Sequence, residues 1–176
     1  MINKDKILII GSGSIALKHY HILKRNYDIY FLTKNKILKG KIKNNKIFNT
    51  WNKIPKISFL FAIIANNTNE HLNSINWCIK KNINIYCEKP IYHKQFNYKK
   101  IRNKILKNKI FFTCGYHLRQ NKKIKYLKKK IGNNSESFQF KVGHDILQWR
   151  NSPPRKQSYY IDTKKGGGCL NELVHE

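Results

Sequence analysis

The chain of 176 residues has room for one domain with a full core and part of a second, which excludes a complete large two-domain enzyme. Hydrophobic residues make up 40% and aromatics 12%, enough for a packed interior, and no apolar run approaches the roughly 18 residues of a membrane span. The formal charge of +27, from 36 Lys and Arg against 9 Asp and Glu, by itself points to nucleic acid or an anionic surface. Only five of the bases are Arg, however, and the lysines are spread evenly, so the charge reads as solvated helix faces and no specific nucleic-acid partner is expected.

The first 115 residues alternate short β-rich runs with amphipathic stretches, the pattern of a doubly wound parallel sheet covered by helices. Residues 6–10 (KILII) predict a buried strand that breaks at Gly11 and Gly13; Ile15, His19, Ile22 and Leu23 then fall at helical spacing to about residue 25. A second strand is expected over 28–32 and a short one at 46–48. The unbroken hydrophobicity of 58–64 (SFLFAII) predicts a central strand with both faces covered. A helix over 69–81 carries Leu72, Ile75 and Ile79, a strand follows at 83–87, and a helix over 93–107 turns Tyr98, Ile101 and Ile105 inward before a strand at 110–115. Beyond residue 118 the rhythm changes. Residues 120–131 predict a lysine-covered helix with Ile124, Leu127 and Ile131 as its buried stripe, and 137–144 alternate like a half-wet strand. A loop rich in Trp, Arg and Pro, a Gly-Gly-Gly run and the start of a further helix complete the chain. Two regions are therefore expected: a dinucleotide-binding domain over 1–118 and the beginning of a second α/β domain over 119–176.

The four cysteines, Cys78, Cys87, Cys114 and Cys169, form no Cys-x-x-Cys pair and read as reduced thiols in apolar surroundings, with no metal-ligand spacing. The apolar stretch before Gly11 is too short for a secretory signal, so a cytoplasmic protein is expected.

The segment Gly11-Ser12-Gly13-Ser14-Ile15-Ala16 fits G-x-G-x-x-A after a strand and opening a helix. Gly11 permits the tight turn, Gly13 lets a pyrophosphate reach the backbone, Ala16 allows close packing, and the helix amino terminus, with Ser14 and Ile15, faces the anion. In proteins that bind NAD, a carboxylate at the end of the second strand holds the ribose 2′-hydroxyl. Here that position reads Thr33-Lys34, which suits the extra phosphate of NADP, with NAD as the second choice. Cys87-Glu88-Lys89-Pro90 follows the fifth strand, where such sheets place their ligands, and an ammonium there can stabilise a developing alkoxide.

These segments, with Ala65-Asn66-Asn67-Thr68-Asn69-Glu70-His71, Gly115-Tyr116-His117-Leu118-Arg119 and Gly166-Gly167-Gly168 ahead of His175, occur in the order seen in the glucose-fructose oxidoreductase and inositol dehydrogenase (Gfo/Idh/MocA) family, which the chain resembles along essentially its whole length. The resemblance implies a Rossmann domain followed by a substrate domain with a large, mostly antiparallel sheet, and NAD(P)-dependent hydride transfer to or from a sugar, cyclitol or sugar derivative. It implies Lys89 as the residue that positions the substrate hydroxyl, His175 as general acid or base and Glu172 as its orienting partner. Asn67, His71, Glu88 and Lys89 join Gly11, Gly13, Ser14, Ile15, Thr33 and Lys34 around the cofactor, and Arg119, Trp149, Arg150 and Tyr159 are candidates for the substrate pocket. Asn67 stands where the family usually has proline, and Glu172 where Asp is commoner, three residues before the histidine rather than four. Residues 120–176 supply only the beginning of the substrate domain, so a truncated product is expected, with homo-oligomers only in a longer form. Two further readings stay open: a non-catalytic dinucleotide-binding module, and a basic protein that binds RNA or DNA.

Overall fold

A computed structural model describes residues 4–35, 42, 46–131, 139, 141 and 162–168. The chain divides into two compact units, Met1–Cys114 and Gly115–Glu176.

The first unit is a six-stranded, wholly parallel sheet: β1 (Lys6–Ile10), β2 (Asp28–Leu32), β3 (Ile47–Phe48), β4 (Phe61–Ile64), β5 (Asn84–Cys87) and β6 (Phe112–Cys114), in the spatial order β3-β2-β1-β4-β5-β6. This is the Rossmann arrangement, in which strand order reverses between β1 and β4 and opens a crevice at their carboxyl ends. The central strands are apolar on both sides because both sides are covered. Leu8, Ile10, Ala62, Ile64, Ile85 and Cys87 pack with Ile75, Cys78 and Ile79 of helix α2 (His71–Lys80), while Ile7, Ile9, Ile29, Phe31 and Ile63 pack with Ala16, Leu17, Tyr20 and Leu23 of helix α1 (Ser14–Leu23).

Helix α2 shows why its sequence is helical: His71, Ser74, Ile75, Cys78 and Ile79 recur at the spacing of one helix face, and all are buried. Burial holds the Cys78 thiol protonated, its pKa pushed up to about 12, and that of Cys87 is raised as well. Cys114 is partly buried, and Cys169 lies outside the described residues.

Several boundaries and faces differ from expectation. In α1 the buried stripe is shifted: the small Ala16 sits fully buried against the sheet, and Ile22 is 72% exposed. The third helix, α3 (Tyr98–Lys107), starts five residues later than its periodicity suggests. Asn97 caps it by accepting from the Lys100 amide at 3.0 Å, and Tyr92 stacks edge-on with His93 and Phe96 in the preceding loop. Ile101 and Ile105 pack on the core as expected, but Tyr98, in the first turn, is 61% exposed. The strand expected from residue 58 starts at Phe61.

In the second unit a 3-10 turn (His117–Gln120) leads into α4 (Lys122–Ile131), where the Asn121 side chain accepts from the Lys123 amide at 2.9 Å. Its apolar residues keep the expected spacing, yet Ile124, Leu127 and Ile131 are exposed; the expected burial is corrected by the absence, among the described residues, of a surface that covers them. Asp162 caps a 3-10 turn (Thr163–Lys165) that precedes the glycine run. The strand expected over 137–144 and the helix after Gly168 lie outside the described residues.

Candidate functional site

Parallel pairing fixes where the loops go. Ile10 is in register with Ile64, and Ile64 with Cys87, so the segments beginning at Gly11, Ala65 and Glu88 leave the sheet side by side along one edge. Two strand spacings, about 10 Å, separate the line of β1 from that of β5. The glycine turn and Lys89 therefore share the carboxyl rim.

Gly11 donates its amide to Leu32 O at 2.9 Å and takes φ of +114°. A Cβ there would stand 2.6 Å from both Ala65 C and Asn66 N and closer still to Ala65 O, so backbone from the neighbouring loop occupies the only room for a side chain. Gly13 differs. Its φ of −68° and ψ of 178° suit any residue, and a Cβ would meet no atom within 4 Å. Gly13, Ser14 and Ile15 are exposed, and the first turn of α1 has neither a side-chain cap nor an acidic residue. The unpaired amides and the helix dipole thus face open space that an anion can enter.

At the end of β2, Thr33 Oγ1 donates to Ser12 Oγ at 2.8 Å and accepts from the Asn35 amide at 3.1 Å, with exposed Lys34 between them. Asp28 lies at the other end of the strand, paired with Lys46.

The loops after β4 and β5 are tied together from beneath. Helix α2 buries His71, whose Nε2 lies 3.1 Å from Asn66 O and whose Nδ1 lies 2.9 Å from Pro90 O. Burial lowers its pKa below the ordinary histidine value, so the ring is neutral and holds one N–H between two carbonyls. The Cys87 thiol lies 3.6 Å from Nδ1 and donates to Glu88 O at 3.4 Å. The Asn66 amide group donates to Ser74 Oγ at 3.0 Å and to Glu70 Oε2 at 3.2 Å, and Asn67 stands exposed beside it. His71 was expected at the cofactor; with its ring 1% exposed it braces the loops that flank the crevice instead.

Glu88 turns toward α1. Its Oε1 lies 2.7 Å from His19 Nε2, and both side chains are mostly shielded from solvent. The ring of His19 packs edge-on against Tyr86 at 5.2 Å, and burial with the nearby Glu88 charge pushes the Tyr86 hydroxyl up to about 12. Lys89, half-buried, follows directly.

The first unit thus brings together Gly11, Gly13, Ser14, Ile15, Thr33, Lys34, Asn67, His71, Glu88 and Lys89 on one rim. Sequence reasoning missed three contributors. Ser12 and Asn66 were the unassigned letters of their motifs, and His19 was read only as part of a helical stripe; the scarcity of acids was the signal that Glu88 had a dedicated partner. In the second unit, exposed Arg119 stacks over Tyr116 at 5.0 Å. Trp149, Arg150, Tyr159, Glu172 and His175 lie outside the described residues. Among the described residues no cluster of His, Cys, Asp and Glu could hold a metal, and no helix is long and apolar enough to cross a membrane.

No family model and no curated protein matches the chain. Solved structures do. Scyllo-inositol dehydrogenase from Lactobacillus casei is similar with a TM-score of 0.63 at 17% identity, over 74% of this chain and 42% of that one. The WlbA dehydrogenase from Chromobacterium violaceum, solved with NADH and UDP-GlcNAcA, gives 0.64 at 15% identity over 74% and 41%. A protein assigned as a dehydrogenase from Thermotoga maritima gives 0.62 at 21% identity over 72% and 40%. The chain spans about two-fifths of the length of these neighbours, and the likeness shows that it has their α/β Rossmann fold.

Proposed function

We propose that this chain is a Gfo/Idh/MocA-type oxidoreductase that binds NADP in preference to NAD and transfers hydride between the nicotinamide and a sugar, cyclitol or sugar derivative. One observation carries the reading: Gly11 is packed where no side chain fits, while Gly13, two residues on, opens an uncapped helix amino terminus to solvent. The residues present fit a dinucleotide. Amides of Ser14 and Ile15 would meet the diphosphate, and Ser12, Thr33 and Lys34 offer hydroxyls and a positive charge to a ribose phosphate where an NAD site needs a carboxylate. Asn67 would approach from the loop after β4. Glu88 and His71 act from behind, holding the loops in place.

When bound, the nicotinamide supplies the hydride acceptor or donor. Lys89 would donate to the substrate hydroxyl and stabilise negative charge as it develops on that oxygen. By the same resemblance, His175 would take the hydroxyl proton in oxidation and return it in reduction, with Glu172 as its partner, and Arg119, Trp149, Arg150 and Tyr159 are candidates for binding the substrate. The inositol in the name of the Lactobacillus casei enzyme and the UDP-GlcNAcA bound to the WlbA dehydrogenase support this substrate class.

Titration with NADPH and NADH, followed through the three tryptophans and then by turnover with a panel of sugars and cyclitols, tests the reading. Tighter binding of NADPH and measurable turnover are expected. Tighter binding of NADH overturns the NADP assignment, and binding without turnover makes the chain a dinucleotide-binding module without catalysis. Absence of binding to either overturns the reading as a whole. Undiminished turnover in Lys89→Ala with cofactor binding intact removes the role assigned to that lysine.

A further inference from the structure

We propose that His19 is a positioning residue for Lys89, acting through Glu88; this rests on the reading that Lys89 meets the substrate. Glu88 is held from two directions. Its amide donates to Ile64 O at 2.9 Å, prolonging the β4–β5 pairing by one residue, and its carboxylate meets His19 Nε2 at 2.7 Å. Strand alternation sends Tyr86 and Glu88 to the face that α1 covers, while Cys87 joins the core under α2. The contact therefore spans 69 positions of sequence and binds the helix that opens at the glycine turn to the residue directly before Lys89.

The choice of partner is informative. In a chain with 36 Lys and Arg and 9 acids, this carboxylate pairs with an imidazole. Solvent exposures of 19% and 13% for the two side chains reduce screening, and the Tyr86 ring edge limits the rotation of His19. Glu88 directs Oε1 to His19 and makes no ion pair with the adjacent ammonium, and among the described residues Lys89 has no ion-pair partner. His19 thus does two things: it fixes the backbone from which Lys89 departs, and it leaves that lysine's charge for the ligand.

Hydrogen exchange on the full chain tests this without any ligand, using His19→Leu, His19→Gln and Glu88→Gln. Loss of one charge-assisted bond is expected to raise exchange at the amides of Glu88 and Lys89 about tenfold in His19→Leu, with Ile9 and Ile63 unchanged. His19→Gln, which keeps a donor, is expected to stay within about threefold of the parent, and adding Glu88→Gln to His19→Leu to have little further effect. NADPH affinity is expected to fall in His19→Leu and to be rescued in His19→Gln. Unchanged exchange at Glu88 and Lys89, or loss of protection spread evenly over the sheet, overturns the proposal. So does failure of the glutamine to rescue. If the parent chain binds no dinucleotide, the functional reading falls by that result, while exchange at Glu88 still decides whether His19 holds the loop.

Discussion

Helices α2 and α4 are each ten residues long and carry their apolar residues at the same spacing, yet one is sealed and the other is not. In α2, Ile75 and Cys78 are fully buried because β4 and β5 present an apolar face of matching width. In α4, Leu127 is 49% exposed among the flanking lysines, with no apolar surface over it among the described residues. Periodicity defines which face of a helix wants to be covered; only a complementary surface determines whether burial contributes free energy.

The contrast yields graded predictions. The largest effect belongs to Gly11→Ala, which forces a side chain into backbone at φ of +114°; thermal and urea melts should show a loss of about 3 kcal/mol or more. Ile75→Ala removes three methyl-sized groups from the sealed helix and should cost about 2–4 kcal/mol by the same melts. Acidification comes next. His71 is neutral in the folded protein because burial lowers its pKa, so the unfolded chain binds a proton that the folded one rejects. Its stabilising contribution is complete above about pH 6.5 and falls as the pH drops below that value, by at most about 1.4 kcal/mol per pH unit; His71→Gln should flatten the slope in urea melts between pH 7.5 and 5. The smallest effect is Leu127→Ala on α4, expected within about 0.5 kcal/mol; a loss as large as that of Ile75→Ala would mean that α4 is covered after all.

The frame of the first unit was legible because each central strand is an apolar run that needs cover on both faces, and because Gly11 and Ala16 each answer a separate steric demand. The stripe of α1 was misread at Ile15 and Ile22, which are exposed; Leu17, Tyr20 and Leu23 pack beside Ala16 on the sheet. The start of α3 was misplaced because the aromatic contacts of Tyr92 with His93 and Phe96 have no periodic signature. The site was legible as a set of motifs but not as a network. The bridge from His71 to the Asn66 and Pro90 carbonyls and the pairing of His19 with Glu88 follow no repeating interval, and although the scarcity of acids singles out Glu88, no spacing names its partner.

The central claim is that Gly13 is glycine for the sake of a diphosphate and not for the sake of the fold, and Gly13→Asp separates the two. The residue is the N-cap of α1 in an extended conformation with open space around its Cβ, so aspartate should cap the helix and leave stability unchanged or raised by about 0.5–1 kcal/mol. Its charge should at the same time repel the diphosphate. Titration with NADPH should show binding by the parent chain and a loss of at least about tenfold in a variant that melts no lower; equal affinity in the two proteins would contradict the account.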